Sequence, residues 1–203
     1  MHYTESYSSL AANTAAYAND IAPTNATAVT LVATEPGDDL AHKVIITNNS
    51  GTDYSTGGKA LVVVGTGFDG ATITESVAGP GSSTTSTSTN YFLTITSITP
   101  NFTRSTTDTF DIGFTAAALT PPIHVQQKPG NMASAMGISV DATGTPAYSL
   151  QQSYGPAGHW YNHASIATKT SDADGSILFP IFALRLIFTA ASVVTIHIQQ
   201  AGQ

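Results

Sequence analysis

The densest group of polar and aromatic residues in the chain is His159-Trp160-Tyr161-Asn162-His163. Two histidines four positions apart can share a metal ion when they lie on one face of a helix. The surrounding sequence is typical of a loop or strand, and the acidic residues closest in sequence are distant, so we do not predict a metal site. We expect a surface loop fixed by the indole of Trp160, with stacking of a sugar on Trp160 and Tyr161 as the alternative.

Arg185 is the single charged residue within the most apolar segment of the chain, residues 177–189. Its guanidinium either pairs with a carboxylate of a partner protein or extends across its own sheet. The candidate interaction residues are therefore His159, Trp160, Tyr161, His163 and Arg185. We predict no catalytic, cofactor-binding or metal-binding residue and no enzymatic activity, because the sequence motifs of hydrolases, zinc proteases and P-loop proteins are absent.

A glycine-rich stretch, Gly65-Thr66-Gly67-Phe68-Asp69-Gly70, matches the G-x-G-x-x-G pattern of dinucleotide-binding turns. Such a turn must lead into a helix, whose N-terminus holds the pyrophosphate. Residues 71–77 instead alternate in a period of two, which predicts a strand. We therefore expect a β-hairpin, with Asp69-Gly70 in a type I′ turn.

A second motif, Asp172-Ala173-Asp174-Gly175, begins like a calcium-binding loop. The sequence lacks the next acidic or amide ligand and the bidentate glutamate that such a loop requires. A turn leading into a strand at Ile177 is the better prediction. Cysteine is absent, which excludes disulfide bonds and thiolate metal sites.

The composition favours hydroxyl groups over charges. Only 9% of the 203 residues are charged, against roughly 25% in an average soluble domain, whereas 31 threonines and 20 serines make up a quarter of the chain. Such a surface can be buried against a partner at a lower desolvation cost than ion pairs. The formal charge of −7 argues against nucleic-acid binding. No apolar stretch approaches the ~20 residues that span a bilayer, and the first residues lack a signal-peptide pattern.

Short runs of strand-forming residues, separated by Gly, Asn, Asp and Pro, follow one another from residue 28 onward. The predicted strands are 28–34, 42–48, 60–65, 71–77, 82–89, 91–98, 110–114, 123–127, 136–141, 147–153, 177–189 and 193–199. We predict an all-β fold with two antiparallel domains that are sandwich- or jelly-roll-like, at 28–120 and 121–203. An extended N-terminal arm at 1–27 precedes them, and Thr120-Pro121-Pro122 is the predicted linker.

Two stretches of the chain resemble small β-rich virion proteins of tailed bacteriophages. The first comprises the sequences IITNNSG at 45–51, LVVVG at 61–65, DGATITE at 69–75 and YFLTITSI at 91–98. The second comprises HWYNH at 159–163, ADG at 173–175, FP at 179–180, ALRL at 183–186 and IQQAG at 198–202. The shared pattern consists of turns and strands and contains no catalytic signature.

This resemblance implies a structural protein of the virion, most similar to capsid decoration (cement) proteins. Such a protein would lie on the capsid exterior and clamp neighbouring subunits of the major capsid protein against internal DNA pressure. We expect a homotrimer, with a dimer as the alternative, made in the cytoplasm of the host bacterium. No nucleic acid, membrane or cofactor is expected as a partner. The alternative function is a component of a tail or head fibre with a receptor- or glycan-binding module.

Overall fold

The computed structural model describes residues 2–105, 107–125, 136–156 and 158–200. The described residues form strands, turns and loops without any helix, which confirms the all-β class. The first eight strands are β1 (His2–Ser8), β2 (Asn13–Ile21), β3 (Ala41–Asn48), β4 (Ala60–Thr66), β5 (Thr72–Ala78), β6 (Thr85–Phe92), β7 (Thr94–Pro100) and β8 (Phe110–Leu119). The others are β9 (Ile123–His124), β10 (Met136–Thr143), β11 (Tyr148–Ser153), β12 (Tyr161–Asn162), β13 (Ala173–Ile177), β14 (Ala183–Phe188) and β15 (Val193–Gln200). A helix long and apolar enough to cross a bilayer is not found within these ranges.

The chain divides into two compact units, each of which is described by itself. The central unit comprises Ala11–Ala118, and the terminal unit comprises the described residues of Met1–Leu10 and Leu119–Gln203. The N-terminal residues, for which we predict an extended arm, contribute β1 to the terminal unit and β2 to the central unit. A separate arm is therefore not confirmed.

The central unit contains two antiparallel groups of strands. β8, β3 and β6 are neighbours in that order, and β2 pairs with β8, while β4 lies between β5 and β7. Val44 and Ile46 on β3 and Leu61 and Val63 on β4 are completely buried in one apolar cluster. Because the side chains of a strand alternate between its two faces, each group of strands buries one face in this common core. The arrangement is that of a β-sandwich.

The terminal unit also contains two groups of strands. β1, β15, β10 and β13 pair in that order, and β12, β11 and β14 form a second series in which β14 also pairs with β9. The predicted alternation of β15 is confirmed, because Val194, Ile196 and Ile198 are buried whereas His197 is partly exposed. The opposite face of this sheet is polar, and it is described below.

The hairpin predicted at the glycine-rich motif is confirmed, since β4 and β5 pair from Ala60↔Ala78 to Thr66↔Thr72. The predicted turn type is wrong. A type I′ turn needs positive φ at both central residues, and within this loop Gly70, with φ of 72°, is the residue in the left-handed region. Asp69 instead accepts a hydrogen bond from the backbone N–H of Ala71 through its Oδ1, at 2.9 Å. The connection is therefore a wider loop.

Three further predictions need correction. The segment 28–34 is irregular and not a strand, because its N–H groups donate to single carbonyls of different elements, as Val29 does to Ile98. The predicted strand 177–189 is shorter, since β14 begins at Ala183. The segment 172–175, predicted as a turn, provides most of β13. Of the predicted strand 123–127, residues 126 and 127 lie outside the described residues, as do 201 and 202 of the second resemblance stretch.

Candidate functional site

Three adjacent strands of the terminal unit position most of the predicted interaction residues. β11 lies between β12 and β14, and Gln151 on β11 is the cross-strand partner of Asn162 on β12 and of Arg185 on β14. Direct cross-strand partners have Cβ atoms about 4.5–5.5 Å apart. The register therefore forms a row of three polar side chains from distant parts of the sequence.

Arg185 connects this row to Trp160. Its guanidinium carbon lies 4.1 Å from the centroid of the Trp160 ring, which is a cation–π contact. Its Nε donates to Gln151 Oε1 at 2.9 Å, and Gln151 Nε2 in turn donates to Asn162 Oδ1 at 3.0 Å. Of the two arrangements considered for Arg185, the structure has the guanidinium extending across its own sheet. These contacts hold the side chains of the row in one geometry.

Two tyrosines expose more than half of their surface, and the register places Tyr161 opposite Gln152, on the other face of the strands from this row. Tyr154 is 53% exposed and Tyr161 is 56% exposed, and their ring centroids lie 5.9 Å apart with the ring planes at 52°. Gln152 Nε2 donates to the hydroxyl oxygen of Tyr154 at 2.5 Å, which restricts the orientation of that ring. Tyrosine is enriched at interfaces because its ring is apolar and its hydroxyl group can hydrogen-bond. We call these two residues the tyrosine pair.

The two histidines of the loop have different environments. His159 is exposed, whereas His163 is buried, with its Nε2 3.2 Å from the carbonyl oxygen of Ser176 and its Nδ1 3.2 Å from Ser165 Oγ. His163 therefore fixes the loop from inside and does not present its imidazole to solvent. Across the described ranges, no three His, Asp or Glu residues are grouped so that they could hold a metal ion.

The strands of this site carry no acidic residue. The chain has a net charge of −7, but its sequence contains no Asp or Glu between residues 142 and 171 or after residue 174. β11, β12 and β14 lie in these two segments, which include Lys169 and Arg185. These three strands therefore contribute no carboxylate of their own, as is also true of β3, β4, β6, β7 and β15.

A second exposed apolar surface is the segment that joins β13 to β14. Leu178 and Phe179 are 67% and 68% exposed, and Phe182 is 40% exposed. The ring of Phe182 packs edge-on against the imidazole of His124, with 5.2 Å between the centroids. Ile181 in the same segment is buried, so the core holds the segment in place while its neighbours face solvent. We call Leu178–Phe182 the apolar segment.

A third feature is a polar groove of about 510 Å³ on the sheet that contains β15. His197 lies opposite Thr4 of β1 and Ser139 of β10. Its Nδ1 is 3.0 Å from Thr4 Oγ1, and its Nε2 is 3.1 Å from Asp141 Oδ2. A hydroxyl, an imidazole and a carboxylate in a row are the groups of nucleophilic catalysis. Here they are neighbours on the face of a sheet, so cross-strand pairing alone accounts for their contacts.

The residues predicted to interact with partners come together only in part. Trp160 and Arg185 are in contact, whereas Tyr161 is the cross-strand partner of Gln152 and lies on the other face of the sheet. Gln151 was missed because the pairing of β11 with both of its neighbours places it beside Arg185, and Tyr154 was missed because only the fold brings its ring near Tyr161. One local signal was available for Tyr154, which is an aromatic residue next to a Gly-Pro turn.

No protein-family model matches the chain, and no curated protein is significantly similar to it.

Proposed function

We propose that this chain is a structural protein of a tailed-phage virion that decorates and stabilises the outer surface of the capsid. The observation that carries the proposal is the apolar segment, in which Leu178, Phe179 and Phe182 face solvent. Burying such a side chain stabilises a contact by about 1.5–3 kcal/mol. The hydroxyl-rich surface and the resemblance to capsid decoration proteins support the same function.

In this proposal the apolar segment packs against the major capsid protein near a seam between neighbouring subunits. A stable interface buries about 1,200–2,000 Å² in total, so the exposed Leu and Phe side chains provide its centre and the Ser and Thr residues around them its polar rim. The copies act mechanically, because each copy adds buried area across a seam that internal DNA pressure pulls apart. A homotrimer at local threefold axes lets several weak contacts act together, and a dimer is the alternative.

The test is co-sedimentation of the purified chain with expanded and unexpanded capsids of the phage that encodes it. We expect wild-type protein to bind expanded capsids, and we expect the variant with Leu178→Ser and Phe179→Ser to lose at least ten-fold in affinity. Val32→Ser is the matched control, because Val32 is a 77% exposed apolar residue of the central unit. Failure of the wild-type chain to bind capsids, or its absence from the outer shell in cryo-EM of the virion, would overturn the proposal.

The second candidate is a component of a tail or head fibre that binds a receptor glycan. The exposed tyrosine pair favours it. Cryo-EM of the same virions separates the two candidates, because a fibre component would lie in a projecting fibre and not on the capsid shell.

A further inference from the structure

We propose that β1 is the edge at which two copies of this chain join, through antiparallel hydrogen bonds between their β1 strands. The inference rests on the backbone geometry of the terminal unit and goes beyond the decoration function, which uses the apolar segment. It selects the dimer, the alternative to a homotrimer in that function, because two identical strands that pair about a twofold axis form a closed contact.

The register of β1 with β15 shows which of its backbone groups face away from the sheet. β1 is the edge strand of its sheet, and the N–H of Ser9 donates to the carbonyl oxygen of Ser192 at 2.8 Å, which continues the register of the two strands. Hydrogen-bonded and non-hydrogen-bonded pairs alternate along an antiparallel ladder. The odd-numbered residues of β1 therefore direct their N–H and C=O groups to β15. The even-numbered residues direct theirs outward: His2, Thr4, Ser6 and Ser8.

The outward side of β1 is accessible along the whole strand. All residues of β1 are exposed except Tyr3, which is half-buried, and Tyr7, which is buried. Within the part of the chain that the structure describes, the outward N–H and C=O groups have no hydrogen-bond partner. The strand contains no proline, and its register with β15 has no bulge. An exposed, regular edge of this kind is a template for a further strand.

In the central unit, strand edges are covered by the chain itself. The irregular segment 26–34 lies along β7, where the N–H of Val29 donates to the carbonyl oxygen of Ile98 at 2.8 Å. The edges of β5 and β6 are joined by Glu75, whose carboxylate accepts hydrogen bonds from the N–H groups of Thr89 and Asn90 at 2.6 and 2.9 Å. These contacts satisfy backbone groups that a further strand would otherwise use.

The other edge of the β1 sheet is covered as well. On β13, the carbonyl oxygen of Ser176 lies 3.2 Å from His163 Nε2, and that of Asp174 accepts a hydrogen bond from Ser165 Oγ at 3.3 Å. One edge of this sheet is therefore covered by side chains of its own unit, whereas the edge at β1 is open. This difference indicates that β1 is the edge that receives a strand from outside.

The sequence of β1 favours one register for the pair. Centring the pair on Glu5 would place two carboxylates directly opposite each other, which is destabilising. Centring it on Ser6 would place Glu5 opposite Tyr7 of the second copy, which is only 7% exposed. Centring it on Thr4 places the two Thr4 residues opposite each other, a favourable cross-strand pair, and Glu5 opposite the half-buried Tyr3. This register forms about six backbone hydrogen bonds between the two copies.

Side-chain contacts hold β1 ready for this pairing. Thr4 Oγ1 lies 3.0 Å from His197 Nδ1, and Ser6 Oγ lies 2.8 Å from Thr195 Oγ1, so both outward-facing residues are tied to β15. Little further ordering of the strand is needed when the second copy binds. β1 also carries a single carboxylate, that of Glu5, so the repulsion between two copies of this acidic chain is small along this edge.

The first experiment measures association by sedimentation equilibrium at chain concentrations from about 1 μM to about 1 mM. We expect a monomer–dimer equilibrium, since a strand pair is at the small end of protein interfaces. Thr4→Pro removes an outward N–H group and keeps the hydrogen bonds to β15, so it should raise the dimer Kd at least ten-fold. Thr4→Val is the matched control, because it keeps this N–H group and should change the Kd less than three-fold. A wild-type chain that stays monomeric over this range would overturn the proposal.

The second experiment determines the register by disulfide cross-linking, which is unambiguous because the chain contains no cysteine. In the proposed pair the two Thr4 residues have Cα atoms about 5.5 Å apart, a distance that a disulfide bond can span. We expect Thr4→Cys to give a covalent dimer on a non-reducing gel after mild oxidation. Ser6→Cys is the control, because the two Ser6 residues lie about 13 Å apart along the strands. Equal cross-linking of the two variants would overturn this register.

The β1 dimer and the decoration function fail separately. A wild-type chain that co-sediments with expanded capsids but is monomeric in solution would remove the β1 dimer alone. A β1 dimer that does not co-sediment with capsids would remove the decoration function alone. If the wild-type chain is monomeric and Thr4→Pro abolishes its capsid binding, the edge of β1 pairs with the capsid protein, and the assignment to a second copy is wrong.

Discussion

The central and terminal units use the same side-chain types in different environments, as two histidine–aspartate pairs show. In the central unit, His42 Nε2 lies 2.9 Å from Asp38 Oδ2, and the two side chains are 0% and 5% exposed. In the terminal unit, His197 Nε2 lies 3.1 Å from Asp141 Oδ2, and the side chains are 30% and 66% exposed. The distances are similar, but solvent screens the second pair and not the first. Removing one partner from the first pair leaves a buried polar group without that hydrogen-bond partner.

Two tyrosines show the same difference in burial between the two units. Tyr54 in the central unit is 2% exposed; its hydroxyl donates to Asp108 Oδ2 at 2.5 Å and accepts from the Ser105 N–H at 2.7 Å. Tyr154 in the terminal unit is 53% exposed and bonded to an amide. Tyr54 is therefore satisfied inside the core of the central unit, whereas Tyr154 faces solvent in the terminal unit. We infer that Tyr54 maintains the fold and that Tyr154 is available to partners.

The largest expected effect tests the tyrosine comparison through stability. Tyr54→Ala removes a ring that packs between Phe102 and Phe110, and core substitutions of this kind lower the free energy of unfolding by about 3–5 kcal/mol. Tyr154→Ala removes an exposed ring and should change it by less than about 0.5 kcal/mol. Urea unfolding followed by circular dichroism measures both. Similar losses of unfolding free energy in the two variants would show that exposed Tyr154 also maintains the fold.

The next effect tests the buried histidine–aspartate pair. Asp38→Ala leaves Nε2 of His42 in the core without this acceptor, while Nδ1 keeps its hydrogen bond to the carbonyl oxygen of Thr115 at 2.8 Å. We expect a loss of about 1–3 kcal/mol in the free energy of unfolding, because a buried polar group loses its partner. Asp38→Asn keeps an oxygen acceptor and should recover part of the loss. A null effect of Asp38→Ala in urea unfolding would contradict the role assigned to this pair.

Much of the sheet structure could be predicted from the sequence because of side-chain alternation. The alternation in β8 and β15 depends on neighbours two residues apart. β15 forms where predicted, and β8 begins at the predicted Phe110 but continues beyond the predicted end at 114 to Leu119. The segment 28–34 has the same β-branched composition and is not a strand, since strand formation also requires a partner edge. β2 was missed for the opposite reason: its Asn- and Ala-rich sequence has weak strand propensity, and pairing with β8 stabilises it.

The candidate site could be predicted only in part, because its members are brought together by register. Trp160 and Tyr161 are adjacent in sequence, and their chemistry can be recognised there. The Gln151 partnership with both Asn162 and Arg185 depends on how β11 pairs with two other strands. His159 and His163 flank the same three residues, so the sequence does not indicate which of them faces solvent. Tertiary contacts decide this.

A third prediction concerns the stability of the protein at low pH and again compares the hydroxyl groups of Tyr54 and Tyr154. The hydroxyl of Tyr54 is the main group that holds the pKa of Asp108 below its ordinary value of 3.8, followed by that of Thr52. A carboxyl group with a lowered folded-state pKa stabilises the protein above its unfolded-state pKa, and this contribution is lost as the pH falls through the folded-state pKa.

Tyr54→Phe removes that hydroxyl, so the stability difference between wild type and variant should be largest above about pH 5 and should shrink in acid, below the ordinary pKa of Asp108. Urea unfolding at several pH values between neutral and strongly acidic measures it. Tyr154→Phe is the control, because its hydroxyl contacts an amide and not a carboxylate. If the stability difference between wild type and Tyr54→Phe stays constant with pH, the Tyr54 hydroxyl does not lower the pKa of Asp108.

The smallest expected effect completes the comparison of the two histidine–aspartate pairs. Asp141→Ala removes the partner of His197 on a solvent-exposed sheet face, so we expect a loss of only about 0.2–1 kcal/mol in the free energy of unfolding. Because salt screens exposed charges, the electrostatic part of this loss should fall towards zero in about 1 M sodium chloride, where the Debye length is about 3 Å. The loss for Asp38→Ala should persist under the same conditions, since the core excludes salt. If Asp141→Ala instead costs as much as Asp38→Ala and is insensitive to salt, the polar groove is a structural network of the terminal unit, and burial would not be what distinguishes the two units.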